Sequence, residues 1–371
     1  MNYTERYFQL AAILDTTGNF QLESSGVSVC SFPFTSNFNS YLGGESGSLL
    51  TDDFVAENTE FTYPVFYQEK KSFQSDVILL LHGLNERSWN KYFTWAEYLC
   101  QHTGKAVVLF PIAYHINRSP SSWSNPRILS GFLSQRQQLT GKDRSLSFAN
   151  LALSERLSER PLRFFTSGRQ SYQDVIQLVT QIKDGYHPLF AGKPNVDVFA
   201  YSIGAFLAQL LFMTEPLFSR SRLFLLCGGS IFSAMYGCSR SIMDSTSYKR
   251  LYSYFMDDFS VEEAGKMVGD RLANAFYSMI APHYLTEFRM QVFQSMKTRF
   301  QGVAFAHDKV IPYRGVEEAL GKELAQNRYT VLDPAYAYSH ENPFPVSGVD
   351  SREVDASFLK IFNMASRFLA R

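Results

Sequence analysis

The sequence predicts an α/β protein: a mostly parallel sheet flanked by helices, with helical insertions over one end. Three observations carry this expectation. Short, uninterrupted apolar runs such as Val77-Ile78-Leu79-Leu80-Leu81 fit strands buried on both faces. Stretches of helical length and amphipathic pattern separate these runs. Strands and helices then alternate along most of the chain, the rhythm of a parallel sheet covered on both sides. The chain has 371 residues, 45% of them hydrophobic and 19% charged, which describes a globular protein with a large core rather than a disordered one.

Taken in order, residues 35–60 are rich in Ser, Asn, Gly and acidic residues and read as loops around short strands. Residues 59–69 partly alternate aromatic and polar side chains, as an early half-exposed strand would. Residues 77–81 form the first buried strand, and His82-Gly83-Leu84-Asn85 the turn that leaves it. A helix is expected over 89–102, with Gly104 suited to end it. Residues 106–110 form the next strand. Residues 171–183 read as an amphipathic helix, with Ser171 and Asp174 at capping-box-like spacing. Further strands are expected at 196–200, 223–227, 302–306 and 329–332. A helix covers 205–213 and another, 358–369, closes the chain. Two aromatic-rich, helical stretches interrupt the rhythm, at 115–169 and 231–298, and are expected as cap insertions. Residues 1–58 are then an N-terminal extension, and 59–371 the main domain.

Charge and cysteine usage exclude several functions. Lys plus Arg equal Asp plus Glu at 35 each, so nothing draws the chain toward nucleic acid or an anionic membrane. No run approaches the roughly 20 apolar residues of a membrane span. The N-terminus lacks a basic start followed by an apolar run, so no signal peptide is expected and the cytoplasm is the simplest address. Cys30, Cys100, Cys227 and Cys238 form no CxxC pair and read as free thiols. Walker A, GxGxxG, HExxH and EF-hand strings are absent, so no metal and no cofactor is expected.

One constellation carries chemistry. Ser202 stands in Ala200-Tyr201-Ser202-Ile203-Gly204, between a strand and a helix. Small residues on either side let strand and helix approach, and the turn lifts the hydroxyl to a helix N-terminus, where developing negative charge is favoured. A serine hydroxyl needs a base. His340 follows the last strand, where sites form in open α/β sheets. Asp308 follows the strand at 302–306 and can hold the imidazole's tautomer. The rival carboxylate is Asp244, and the rival histidines are His307 and His283. The N–H of Ile203 and that of Leu84 are candidate oxyanion donors, since Gly83 lets the backbone approach a substrate oxygen. His82, Asn85 and Tyr201 flank these positions and are candidates for lining the substrate site, although His82 also reads as a structural residue shaping the turn. Nine Lys/Arg against three acids in residues 115–169 suggest either an anionic substrate or a solvated helical face, and Arg118 is the candidate substrate contact.

With these residues in place, the chain resembles an α/β-hydrolase from about residue 60 onward, and an uncharacterised bacterial branch of that superfamily. The matching pieces are the strand with His82-Gly83, the Ser202 elbow, Asp308-Lys309-Val310-Ile311-Pro312 and the late His340. Ala200 departs from the commoner glycine. The insertion at 115–169 departs from the usual layout, whereas the one from Ile231 matches the usual cap position. The resemblance implies a serine hydrolase acting on an ester or related small acyl compound. An acyltransferase or peptidase on the same fold, or a binding protein without turnover, are the alternatives. Oligomeric state is not encoded in any motif.

Overall fold

The computed structural model describes residues 2–14, 18–38, 55–69, 74–141, 143–259 and 270–371. A nine-stranded sheet runs through it in the order β1-β2-β3-β5-β4-β6-β7-β8-β9. The strands are β1 (Phe20–Leu22), β2 (Val27–Thr35), β3 (Glu60–Gln68), β4 (Gln74–Leu81), β5 (Ala106–Leu109), β6 (Phe190–Tyr201), β7 (Leu223–Leu226), β8 (Phe300–Phe305) and β9 (Tyr329–Leu332). From β5 to β9 every pairing is parallel, whereas β1, β2 and β3 join the edge antiparallel. This is the expected α/β architecture, a mostly parallel sheet flanked by helices, with the part of residues 1–58 that is described built into the same sheet through β1 and β2.

Strand β4 shows why its sequence reads as an apolar run. Val77, Leu79 and Leu81 face one apolar layer and Ile78 and Leu80 the other, and all five are at most 1% exposed. Side chains alternate across a strand, so a strand covered on both faces has no polar positions to offer. Helices Arg163–Lys183 and Ile203–Thr214 cover the first face. Helices Tyr3–Ile13, Asn90–Thr103 and Ser351–Leu369 cover the second. Gly104 ends Asn90–Thr103 in the left-handed region, at φ 67°.

The helix expected at 171–183 begins eight residues earlier, at Arg163. Ser171 and Asp174 therefore lie in its middle and cap nothing. Ser171 Oγ donates to Ser167 C=O at 2.8 Å and accepts the Ala113 N–H at 2.9 Å, while Asp174 pairs with Arg118.

The two insertions pack against each other. Helices Pro126–Thr140 and Leu151–Glu159 come from the first, and helices Ser245–Ser253, Arg271–Ser278 and Thr286–Ser295 from the second. A polar seam joins them. Arg136 forms a two-pronged ion pair with the fully buried Asp244, with Nη2 to Oδ1 at 3.0 Å. The Asp244 N–H donates to Ser154 Oγ at 2.9 Å, Ser247 Oγ donates to Ser154 C=O at 3.0 Å, and Asn150 Nδ2 donates to Ser239 C=O at 2.8 Å. The nine-cation stretch is thus partly spent internally, Arg136 and Arg163 pairing with acids, and Lys142 lies outside the described residues. Cys30, Cys100, Cys227 and Cys238 are free thiols. Among the described residues no helix is long and apolar enough to cross a membrane.

Candidate active site

Ser202 ends β6 and opens helix Ile203–Thr214 in a backbone conformation that a side chain rarely takes, φ 57° and ψ −123°. Such strain persists only where the surroundings enforce it. Here the Ser202 N–H donates to Leu226 C=O at 3.2 Å. The turn also needs Gly204, because a Cβ there would lie 2.7 Å from the carbonyl oxygens of Leu81 and His82.

The conformation brings the Ser202 hydroxyl to His340. Oγ and Nε2 are 2.6 Å apart, and His340 Nδ1 lies 2.8 Å from Asp308 Oδ2. The other Asp308 oxygen accepts the N–H groups of Val310 and Ile311, each at 2.9 Å. Nδ1–H donating to the carboxylate leaves the Nε2 lone pair facing the serine hydroxyl. The three residues are each 5% exposed. The Tyr201 ring lies nearly parallel to the imidazole, at 15° and 5.7 Å, and its hydroxyl donates to the His340 carbonyl oxygen. The rivals lie elsewhere: Asp244 is committed to Arg136, His307 is exposed beside Asp333, and His283 packs edge-to-face with Tyr284.

Ile203 and Leu84 line the same cavity as Ser202. Ile203 is the first residue of its helix, so its N–H belongs to the turn whose donors have no intrahelical acceptor. The Leu84 turn is held from behind. The Gly83 N–H donates to Tyr92 Oη at 3.0 Å, Tyr92 Oη donates to Glu86 Oε1 at 2.8 Å, and Lys91 Nζ pairs with that carboxylate at 2.5 Å. Lys91 also donates to Glu341 C=O at 2.8 Å and sits 4.8 Å over the Tyr201 ring. It thus ties the turn, the elbow and the His340 loop together. Sequence reasoning passed over Lys91 and Tyr92: they lie in the first turn of an expected helix, but their reach back to the turn is set by packing.

All four residues expected at the substrate, Arg118, His82, Tyr201 and Asn85, are occupied by the protein itself. Arg118 is fully buried and bonds Asp174 at 2.7 Å, Asn58 and the Pro111 carbonyl, with its guanidinium 4.2 Å over Phe61. It is a core ion pair, not a substrate contact. His82 is also fully buried. Its Nε2 accepts the Ile112 N–H at 2.9 Å, so Nδ1 carries the proton and donates to Gly83 C=O at 2.8 Å, and burial pushes its pKa down to about 3. That is the structural alternative. Tyr201 supports His340 from 1% exposure. Asn85, at φ 61°, spends its amide on Ala149 C=O at 2.8 Å and Ser241 C=O at 2.6 Å, which fastens both insertions to the turn.

The cavity has two apolar lobes that meet at Leu84, Phe164 and Ile203. Phe164 stands in the first turn of helix Arg163–Lys183, in the stretch expected as insertion, and the sequence gives no sign of its place at the site.

Solved structures similar to this chain include a novel cold-adapted esterase from an Arctic intertidal metagenomic library, in a PEG-bound complex, with a TM-score of 0.44, 12% identity and coverage of 96% of this chain and 100% of that one. Carboxyl esterase 2 from the mycorrhizal fungus Tuber melanosporum has a TM-score of 0.45 and 10% identity, covering 99% and 97%. A prolyl endopeptidase structure has a TM-score of 0.44 and 8% identity, covering 93% of this chain and 39% of that one. No curated protein matches the sequence. A family match spans residues 1–370, which include the whole sheet and the Ser202 site, and the chain belongs to that family, the family of unknown function DUF6051.

Proposed function

We propose that the protein is a serine hydrolase that cleaves a carboxylic ester or related acyl compound through an acyl-enzyme. The observation that carries this reading is the unbroken relay from Ser202 Oγ to His340 at 2.6 Å and from His340 to Asp308 at 2.8 Å. His340 takes the hydroxyl proton as Ser202 attacks the carbonyl carbon, and then gives it to the leaving alcohol. Water hydrolyses the acyl-enzyme with His340 again as base. Asp308 holds the tautomer and stabilises the imidazolium. The N–H groups of Leu84 and Ile203 receive the oxyanion, and loss of one such donor typically lowers the rate about 10²–10³-fold. Four free thiols are in keeping with action in a reducing cytoplasm.

The test is intact-mass labelling with a fluorophosphonate probe. One adduct on the wild type, lost in Ser202→Ala and in His340→Ala, is expected. A folded wild type that takes no adduct would overturn the reading in favour of a binding protein without turnover.

A further inference from the structure

The base and the candidate oxyanion donor Leu84 stand on loops that the sheet keeps apart. Leu84 follows β4 and His340 follows β9, and β6, β7 and β8 lie between those two strands. At a strand spacing of about 4.8 Å, β4 and β9 are about 19 Å apart. The chain after β9 must therefore run back across the strand ends to bring His340 to Ser202. Residues 333–350 do so without helix or strand, so no regular element fixes the imidazole. A loop of that length without secondary structure is uncommon and usually functional, and its position rests on its contacts.

Those contacts converge on Glu341, the residue after the base. Ser339 and Asn342 exchange backbone hydrogen bonds, at 3.4 Å and 3.2 Å, and close a tight turn with His340 and Glu341 at its centre. The Glu341 carbonyl accepts Lys91 Nζ at 2.8 Å, and its carboxylate accepts the Ser239 hydroxyl. Both donors also hold the oxyanion turn. Lys91 pairs with Glu86 at 2.5 Å. Ser239 Oγ has two lone pairs besides its proton, and accepts the N–H groups of Ser241 at 3.2 Å and Ile242 at 3.1 Å. The Ser241 carbonyl in turn accepts Nδ2 of Asn85, the residue after Leu84, at 2.6 Å. Two braces thus span the same pair of loops, and both end on Glu341. One runs through Lys91, in the first turn of helix Asn90–Thr103. The other runs through a turn of the second insertion, closed by the Ser239 N–H on Met243 C=O at 3.0 Å. Ile242 and Met243 of that turn also wall the cavity that holds Ser202.

Resting on the hydrolase reading, we propose that Glu341 is a positioning residue for the reaction: anchored by Lys91 and Ser239, it sets the place of the His340 imidazole relative to the oxyanion donors. Its part is geometric, and the proton taken from Ser202 and returned to the leaving alcohol travels on His340 alone. A misplacement of about 1 Å in such a constellation lowers the rate about 10²-fold. The loss falls on turnover rather than on folding, because Glu341 is half-buried and substitution of such a residue usually costs little stability. The second insertion thereby acts on the chemistry through the base loop, and not only as a wall of the cavity.

The experiment measures kcat, KM and melting temperature of the full chain on p-nitrophenyl butanoate for Glu341→Ala, Glu341→Gln, Ser239→Ala and the double Ala variant. His340 serves acylation and deacylation alike, so a displaced imidazole slows both steps and leaves KM in place. Glu341→Ala is expected to lower kcat about tenfold to 10²-fold, with KM within about threefold and the melting temperature kept. Glu341→Gln keeps an acceptor oxygen for Ser239 and should hold kcat within about threefold of the wild type. In the Ser239→Ala background, Glu341→Ala should cost nothing more, because the bond is already gone. If Glu341→Ala does not fold, Ser239→Ala removes the same bond from the other side and must show the same loss of kcat. The rate of fluorophosphonate labelling should fall in parallel with kcat, so the comparison does not hang on this ester. Wild-type kcat in Glu341→Ala, an effect on KM or melting temperature alone, a Gln variant as slow as the Ala variant, or additive losses in the double variant would overturn the proposal. Labelling also separates the two failures: a wild type that labels at Ser202 but shows these outcomes defeats this proposal alone, whereas a folded wild type that takes no adduct defeats the hydrolase reading.

Discussion

Replacing Asp308 by Asn tests the relay without emptying the site. The amide has the shape of the carboxylate, and its orientation is fixed by what surrounds it. Asp308 Oδ1 accepts two N–H groups, from Val310 and Ile311, both at 2.9 Å. In the Asp308→Asn variant the amide oxygen must stay there, because the flipped amide would turn its NH₂ on two donors. Each buried donor left without an acceptor costs about 1–3 kcal/mol, so the flip costs about 2–6 kcal/mol and the unflipped amide dominates. Its NH₂ then faces His340 Nδ1, where Oδ2 now accepts at 2.8 Å. Nδ1 must become the acceptor, the proton moves to Nε2, and the imidazole no longer takes the proton of Ser202. An analogous swap in a serine protease lowers kcat about 10⁴-fold, and a fall of that order is expected here. Stopped-flow or plate assays with a short p-nitrophenyl ester measure it, and thermal melting checks that the fold is retained. Activity within tenfold of the wild type at an unchanged melting temperature would refute Asp308 as the keeper of the tautomer.

Gly204→Ala should cost stability and most of the fluorophosphonate reactivity, since its Cβ would lie 2.7 Å from two backbone oxygens; an unchanged labelling rate would show that the elbow is slack. Arg118→Met leaves Asp174 buried without its cation and should destabilise the fold by about 3–5 kcal/mol in urea titrations, with kcat/KM of the folded protein kept. A selective rise in KM with stability intact would restore Arg118 as a substrate contact. Burial holds the pKa of His82 at about 3 and that of His187 at about 4, against 6.5 unperturbed, and that of His115 also lies low. Below 6.5 the unfolded chain therefore binds protons that the folded chain refuses, so stability is full above that pH and declines as pH falls toward 4. Melting temperatures that stay flat from pH 7 to about pH 4.5 would contradict this accounting.

The legible parts of this protein are those fixed by local pattern. Apolar runs mark strands β4 to β8 because both faces of the sheet are covered there, whereas the edge strand β9 is half-exposed. The elbow is visible because Ser202 needs a strand before it and Gly204 after it. Asp308 and His340 lie in the loops that follow β8 and β9, so their convergence follows from the direction of a parallel sheet. What failed depends on distant partners. Arg118 looks like an available cation in sequence, and only the fold supplies Asp174, 56 residues away, as its counter-ion. Helix Arg163–Lys183 begins without a side-chain cap, so no residue announces its start, and Ser171 and Asp174 mimic one further along. β2 and helix Tyr3–Ile13 carry weak patterns and gain their place by packing on the sheet edge and on helix Asn90–Thr103.

The seam between the insertions bears on how pockets of this family can be reshaped. The carboxylate of Asp244 and the guanidinium of Arg136 are both buried, and they belong to different insertions. A chimera that exchanged residues 115–169 alone would strand a charge in the interior, a loss of about 3–5 kcal/mol, and would free the Asn85 clamp at one of its two ends. The insertions are therefore not transplantable parts. The cavity can be reshaped by substituting wall residues such as Phe164 or Met243 one at a time, or by moving both insertions as a single cassette.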